Sequence, residues 1–114
     1  MMKLSWREWL PFRRWRIAAT VEDADDIPER LPNRVIVVVG SSTFPKWAAF
    51  KCPCGRGHTV MLNLDAGRWP AWSLTRSSSG KISFAPSVDY LDAGRRCHFF
   101  LRDSKVLWAK DSVR

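Results

Sequence analysis

The chain has 114 residues, enough for one domain around one modest core. Apolar residues make up 46% and charged residues 26%, a balance that excludes a disordered chain, and no apolar run approaches bilayer-spanning length. The net charge is +8, which favours an anionic partner such as nucleic acid, an anionic membrane surface or an acidic protein.

Residues 1–33 read as an N-terminal arm and linker. Lys3, Arg7, Arg13, Arg14 and Arg16 concentrate positive charge there, among Leu4, Trp6, Trp9, Leu10, Phe12 and Trp15. Trp6, Trp9 and Leu10 fall at helical spacing, and Pro11 should end or kink any helix. The tryptophans either pack on the domain or form a short amphipathic element that docks a partner. The stretch Glu22, Asp23, Asp25 and Asp26, followed by Pro28 and Pro32, reads as an acidic loop. The core strands are expected to begin near Val35, so the arm should be dispensable for folding. The opening residues show no apolar stretch ending in a small-residue cleavage site. Three cysteines is an odd number, and Cys52 and Cys54 are too close to bridge comfortably. Both features point to a cytoplasmic protein with reduced thiols.

Residues 34–114 read as a single β domain. Val35–Val39 is a β-branched run ending at Gly40, as a buried strand would be. Trp47–Lys51, Thr59–Leu64, Trp69–Thr75 and Lys81–Phe84 are further strands. Cys97–Leu101 and Val106–Trp108 form a hairpin around Asp103 and Ser104. The expected fold is mainly β: a small sandwich or open barrel with a zinc-knuckle-like Cys/Gly loop and a short helical or irregular N-terminal arm.

Three constellations carry chemistry. Cys52, Cys54 and His58, with Cys97 from a distant strand, supply four ligands of the type that binds structural zinc. The spacing within the loop is Cys-X-Cys, less diagnostic than paired Cys-X-X-Cys motifs, and reduced cysteines in a glycine-rich turn are the simpler alternative. Cys97 and His98 are neighbours, so in a regular strand they face opposite sides and cannot serve one site. Ser87 follows Pro86 at the end of a short strand, and adjacent strands could bring it to His98. A serine needs such a base within hydrogen-bond reach to become a nucleophile. Gly55 and Gly57 could turn backbone N–H groups of their loop towards an oxyanion. By spacing alone, a serine and a histidine make a weak case.

The ordered motifs Trp47-Ala48-Ala49-Phe50-Lys51-Cys52-Pro53-Cys54-Gly55, Leu62-Asn63-Leu64, Trp69-Pro70-Ala71-Trp72, Phe84-Ala85-Pro86-Ser87-Val88, His98-Phe99-Phe100-Leu101 and Val106-Leu107-Trp108 resemble one small bacterial family. It is a domain-of-unknown-function family encoded in operons with ubiquitin-like proteins, ThiF-type activating enzymes and ubiquitin-conjugating-type proteins. The resemblance spans roughly residues 35–109. In that family the loop commonly reads Cys-Pro-Cys-Gly-Cys-Gly, and a further Cys lies three residues before the His. Those two positions hold Arg56 and Arg95 here, so either the metal set is rebuilt around His58 and Cys97 or metal binding is lost. Ser87 and His98 match the family's Pro-Ser and His-aromatic elements directly, and the resemblance gives that pair its weight.

The resemblance implies a small serine peptidase or deconjugase that processes a ubiquitin-like protein or its conjugates. Ser87 would attack, His98 would move the proton, and Asp89, Asp92 or Asp103 would orient His98. Tryptophans could clamp an extended tail. The alternative is a non-enzymatic, zinc-stabilised adaptor for the ubiquitin-like protein or its conjugating enzyme. Nucleic-acid binding ranks last, because basic residues are scattered over the β region and no recognition motif is present.

Overall fold

The computed structural model describes residues 3–113, and of Asp92 the backbone alone. The chain is mainly β, and its described residues form nine strands in three small sheets. The first sheet has the order β1 (Arg16–Val21), β2 (Val35–Gly40), β3 (Pro45–Lys51) and β4 (Thr59–Asn63). The second pairs β5 (Ser73–Arg76) with β6 (Ile82–Ala85). The third has the order β7 (Val88–Asp92), β8 (Arg95–Arg102) and β9 (Lys105–Trp108). Every pairing is antiparallel except β1 with β2.

Strand β2 is apolar along its whole length because it is covered on both sides. Ile36 and Val38 enter the main core with Ala48, Phe50 and Leu62, while Val35, Val37 and Val39 join Val21 and Leu31 on the other face. The third sheet closes the main core. Cys97, Phe99 and Leu101 alternate inward from β8, and Phe99 meets Phe50 edge-on at 6.4 Å.

The packing does not divide at residue 34. Residues 16–21, expected within a dispensable arm, form β1, which pairs in parallel with β2. Trp15 is only 4% exposed and meets Phe50 edge-on at 5.5 Å. Alternating Ile17, Ala18, Ala19 and Thr20 carry little β signal of their own; the neighbouring strand β2 draws them into the sheet. Upstream, Trp6–Trp9 make one 3-10 turn capped by Ser5, and Trp6 and Trp9 stay largely exposed.

Two further boundaries differ from the sequence reading. The strand expected over Trp69–Thr75 starts at Ser73. The buried Asn63 amide holds the preceding loop by donating to the carbonyls of Asp65, Arg68 and Pro70. Strand β7 was not anticipated, since Val88–Asp92 alternates polar and apolar residues too briefly to stand out. The β8–β9 hairpin turns at Asp103 and Ser104 as expected, both in the left-handed region (φ 48° and 62°), which suits a two-residue turn. Ser104 also ties that turn inward: its hydroxyl donates to the Trp15 carbonyl and accepts from Ile82 N–H.

Candidate active site and metal cluster

Strand β8 presents two chemistries on its two faces. On the inner face lies Cys97, fully buried. On the outer face lie Arg96 and His98.

The outer site begins at Ser87, placed between β6 and β7 just after Pro86. The antiparallel register sets Val88 opposite Phe99 and Asp89 opposite His98, which brings the preceding Ser87 alongside the imidazole. Ser87 Oγ and His98 Nε2 are 3.0 Å apart, hydrogen-bond distance for a nucleophile and its base. The indole N–H of Trp72 donates to the Ser87 carbonyl at 3.1 Å and holds the backbone there.

The other imidazole nitrogen, Nδ1, is 2.7 Å from Asp111 Oδ1. Asp111 reaches this position through the chain's return past β9. Ala109 N–H donates to the His98 carbonyl, Arg96 and Val113 exchange both backbone bonds, and the Ser112 hydroxyl bonds the backbone on each side of Cys97. The second Asp111 oxygen lies 3.0 Å from an Arg96 guanidinium nitrogen, and Arg96 also grips Asp89 with two hydrogen bonds. The hydrogen bond to His98 and the charge of Arg96 hold the Asp111 carboxyl below the ordinary Asp range.

Two of the acids named from sequence as partners for His98 are therefore elsewhere. Asp89 is engaged by Arg96, and Asp103 sits at the exposed hairpin turn. The Asp92 side chain lies outside the described residues. Asp111 was missed because it follows the last predicted strand and carries no local signal; only the return along β8 brings it to His98.

The inner site gathers Cys52, Cys54, His58 and Cys97, whose ligand atoms all lie within 4.8 Å of one another. Gly55 and Gly57 take positive φ (83° and 87°), which lets the loop double back so that Cys52 N–H meets the His58 carbonyl. Cys54 Sγ lies 3.7 Å from His58 Nδ1, and the imidazole stacks on Tyr90 at 4.7 Å. Arg56 donates its backbone N–H to Cys54 Sγ and a guanidinium N–H to Cys97 Sγ. Burial pushes the Cys52 thiol up to about 12, while at Cys54 hydrogen bonds led by the Arg56 N–H outweigh the effect of burial and lower the thiol. Three sulfurs and one imidazole are the donor set of a closed structural zinc site, so the cluster could hold a metal ion.

Gly55 and Gly57, expected to face an oxyanion, lie in the loop that carries the metal-type ligands. Their loop closes on the Cys97 face of β8, whereas the Ser87 hydroxyl meets His98 on the other face.

A protein-family model described as a bacterial ubiquitination-like system serine protease (BubE) matches residues 23–109. No curated protein and no solved structure matches the chain. The matched stretch includes Ser87, His98 and all four metal-type ligands, and Asp111 lies two residues beyond its end.

Proposed function

Because the chain belongs to the family of bacterial ubiquitination-like system serine proteases, we propose that it cleaves a ubiquitin-like protein precursor or its conjugates, with Ser87 as nucleophile. The observation that carries this reading is the continuous line Ser87–His98–Asp111, with links of 3.0 and 2.7 Å.

His98 Nε2 accepts the Ser87 proton as Oγ bonds to the substrate's carbonyl carbon. The imidazolium then gives that proton to the departing amine as the C–N bond breaks. Water hydrolyses the acyl-serine, again through His98, and restores the hydroxyl. Asp111 holds Nδ1–H and offsets the positive charge that His98 gains. The partners that follow are the ubiquitin-like protein and the enzymes that handle it.

Cys52, Cys54, His58 and Cys97 would hold one zinc ion, which supplies a structural staple between the 52–58 loop and β8. The cluster also motivates the second reading, an adaptor that binds the ubiquitin-like protein without cleaving it.

Ser87→Ala and His98→Ala separate the two. Each is expected to slow release of a C-terminally extended ubiquitin-like precursor by roughly 10³-fold or more, with the double variant no slower than either single one. Both should keep the parent melting temperature. A Ser87→Ala protein that cleaves like its parent would hand the function to the adaptor reading.

A further inference from the structure

Arg13, Arg14, Arg34, Lys51 and Lys105 are far apart in the chain, yet all five line one cleft of about 690 Å³. The topology explains why they meet. Arg13 and Arg14 lead into β1, Arg34 leads into β2, and Lys51 ends β3. β1 and β2 run parallel and β3 runs back against them, so these four residues fall at one end of the first sheet. Lys105 opens β9, whose turn is tied to the same end by the Ser104 hydroxyl on the Trp15 carbonyl.

Among the described residues, no Asp or Glu lines this cleft. Arg13 is paired with Glu8. The other four cations have no carboxylate partner among the described residues. Arg14 and Arg34 donate to the carbonyls of Ser79 and Pro11, which leaves their charge uncompensated. Lys51 also borders a smaller pocket that holds Glu29, and no ion pair joins the two. Charges of one sign around a recess focus their field on whatever enters it. Two apolar side chains stand open in the same cleft, Phe12 at 81% and Leu107 at 49% exposed. Trp15 and Trp108 are committed to the core against Phe50 and Phe99. Phe12 is thus a lone open ring, whereas a single-stranded polynucleotide uses successive aromatic faces. A bilayer surface is too flat to follow a recess of this kind.

We propose that this cleft docks an acidic segment of a protein partner, one in which large apolar side chains are interspersed among carboxylates. The carboxylates meet Arg14, Arg34, Lys51 and Lys105, and the apolar side chains cover Phe12 and Leu107. Charge complementarity sets the encounter rate and the choice of partner, and apolar contact holds the complex once formed. The family's place in a ubiquitination-like system, where partners are proteins, agrees with this occupant. The inference goes beyond the cleavage reading and does not depend on it, since none of Ser87, His98 and Asp111 lines the cleft.

The test measures fluorescence anisotropy of the intact protein with a fluorescein-labelled dodecapeptide of Glu and Asp interrupted by Leu and Phe. Replacing its acids by Gln and Asn should abolish binding, and raising the salt should weaken it steeply. The double variant Lys51→Glu with Lys105→Glu should bind about tenfold more weakly or worse. Lys46→Glu with Arg76→Glu changes the net charge equally at exposed positions outside the cleft, and should bind like the parent. Phe12→Ser should weaken the Leu- and Phe-containing peptide and leave an all-acidic one unaffected. All variants should keep the parent melting temperature. Should the Lys51 variant melt early, Lys105→Glu against Arg76→Glu makes the same comparison at exposed positions. Equal losses in the two double variants would assign the binding to overall charge and overturn the site. Tighter binding of an oligothymidylate of equal charge, or of phosphatidylglycerol vesicles, would overturn the protein occupant. Cleavage of the ubiquitin-like precursor is scored separately, so the docking cleft and the Ser87 reading can fail independently.

Discussion

At the scale of single residues, the outer site depends on how Asp111 and Arg96 hold one imidazole. Asp111 is half-exposed, so solvent dilutes its charge, and its main contribution is orientation of Nδ1–H. Asp111→Asn is expected to lower kcat by about 10²–10³-fold with KM little changed. The pH dependence has a definite sign. A carboxyl held below its unfolded value contributes fully above the ordinary Asp value of 3.8 and is lost only as pH falls through the lower folded value. A carbon-13 titration of Asp111 should therefore give a midpoint below 3.8, and His98→Ala should move it upward. A midpoint unmoved by His98→Ala would mean that Arg96 alone holds the carboxylate.

At the scale of elements, β8 is the organising piece. Its inward residues close the core and carry Cys97, and its outward residues carry Arg96 and His98. The 109–113 return lies against its outer side and delivers Asp111. The N-terminal strand is equally integral. Trp15 fills the main core, its carbonyl accepts from the buried Ser104 hydroxyl, and Arg16 is bonded to both the carboxylate and the carbonyl of Glu8. Trp15→Ala should cost about 3–5 kcal/mol in urea unfolding, a large share of what a domain this size possesses. Removing residues 1–16 should leave a protein that does not unfold cooperatively. A truncated protein with the parent's transition would return that segment to the status of an arm.

At the scale of the whole molecule, the 52–58 loop reaches back to β8 across the core, and a metal there would join the first sheet's end to the third sheet. Protein purified without chelators should carry about one zinc per chain by elemental analysis. Stripping it should lower the melting temperature by more than about 10 °C, since a loss of a few kcal/mol shifts a domain of this size that far. Cys97→Ser should reproduce the thermal loss and change turnover far less, because Cys97 faces away from His98. Zinc-free protein with an unchanged melting temperature would leave the four residues as a reduced thiol cluster. Among the described residues no helix is long and apolar enough to cross a membrane.

The amino-acid sequence by itself determined whatever depends on short-range pattern. The β-branched run at Val35–Val39, the turn at Asp103 and Ser104, and the alternation that parts Cys97 from His98 are all properties of consecutive residues. The metal-type residues were nameable from their ligand chemistry, and the pairing of Ser87 with His98 because its motifs match a family in order. Tertiary structure alone decided what depends on distant segments meeting. β1 became a strand because β2 was there to pair with it. Asp111 became the partner of His98 because the chain folds back along β8. Cys97 joined Cys52, Cys54 and His58 because the 52–58 loop folds back onto the inner face of β8. Hydrogen-bond partners more than ten residues apart leave no periodic trace in the chain, so their meeting is set by packing.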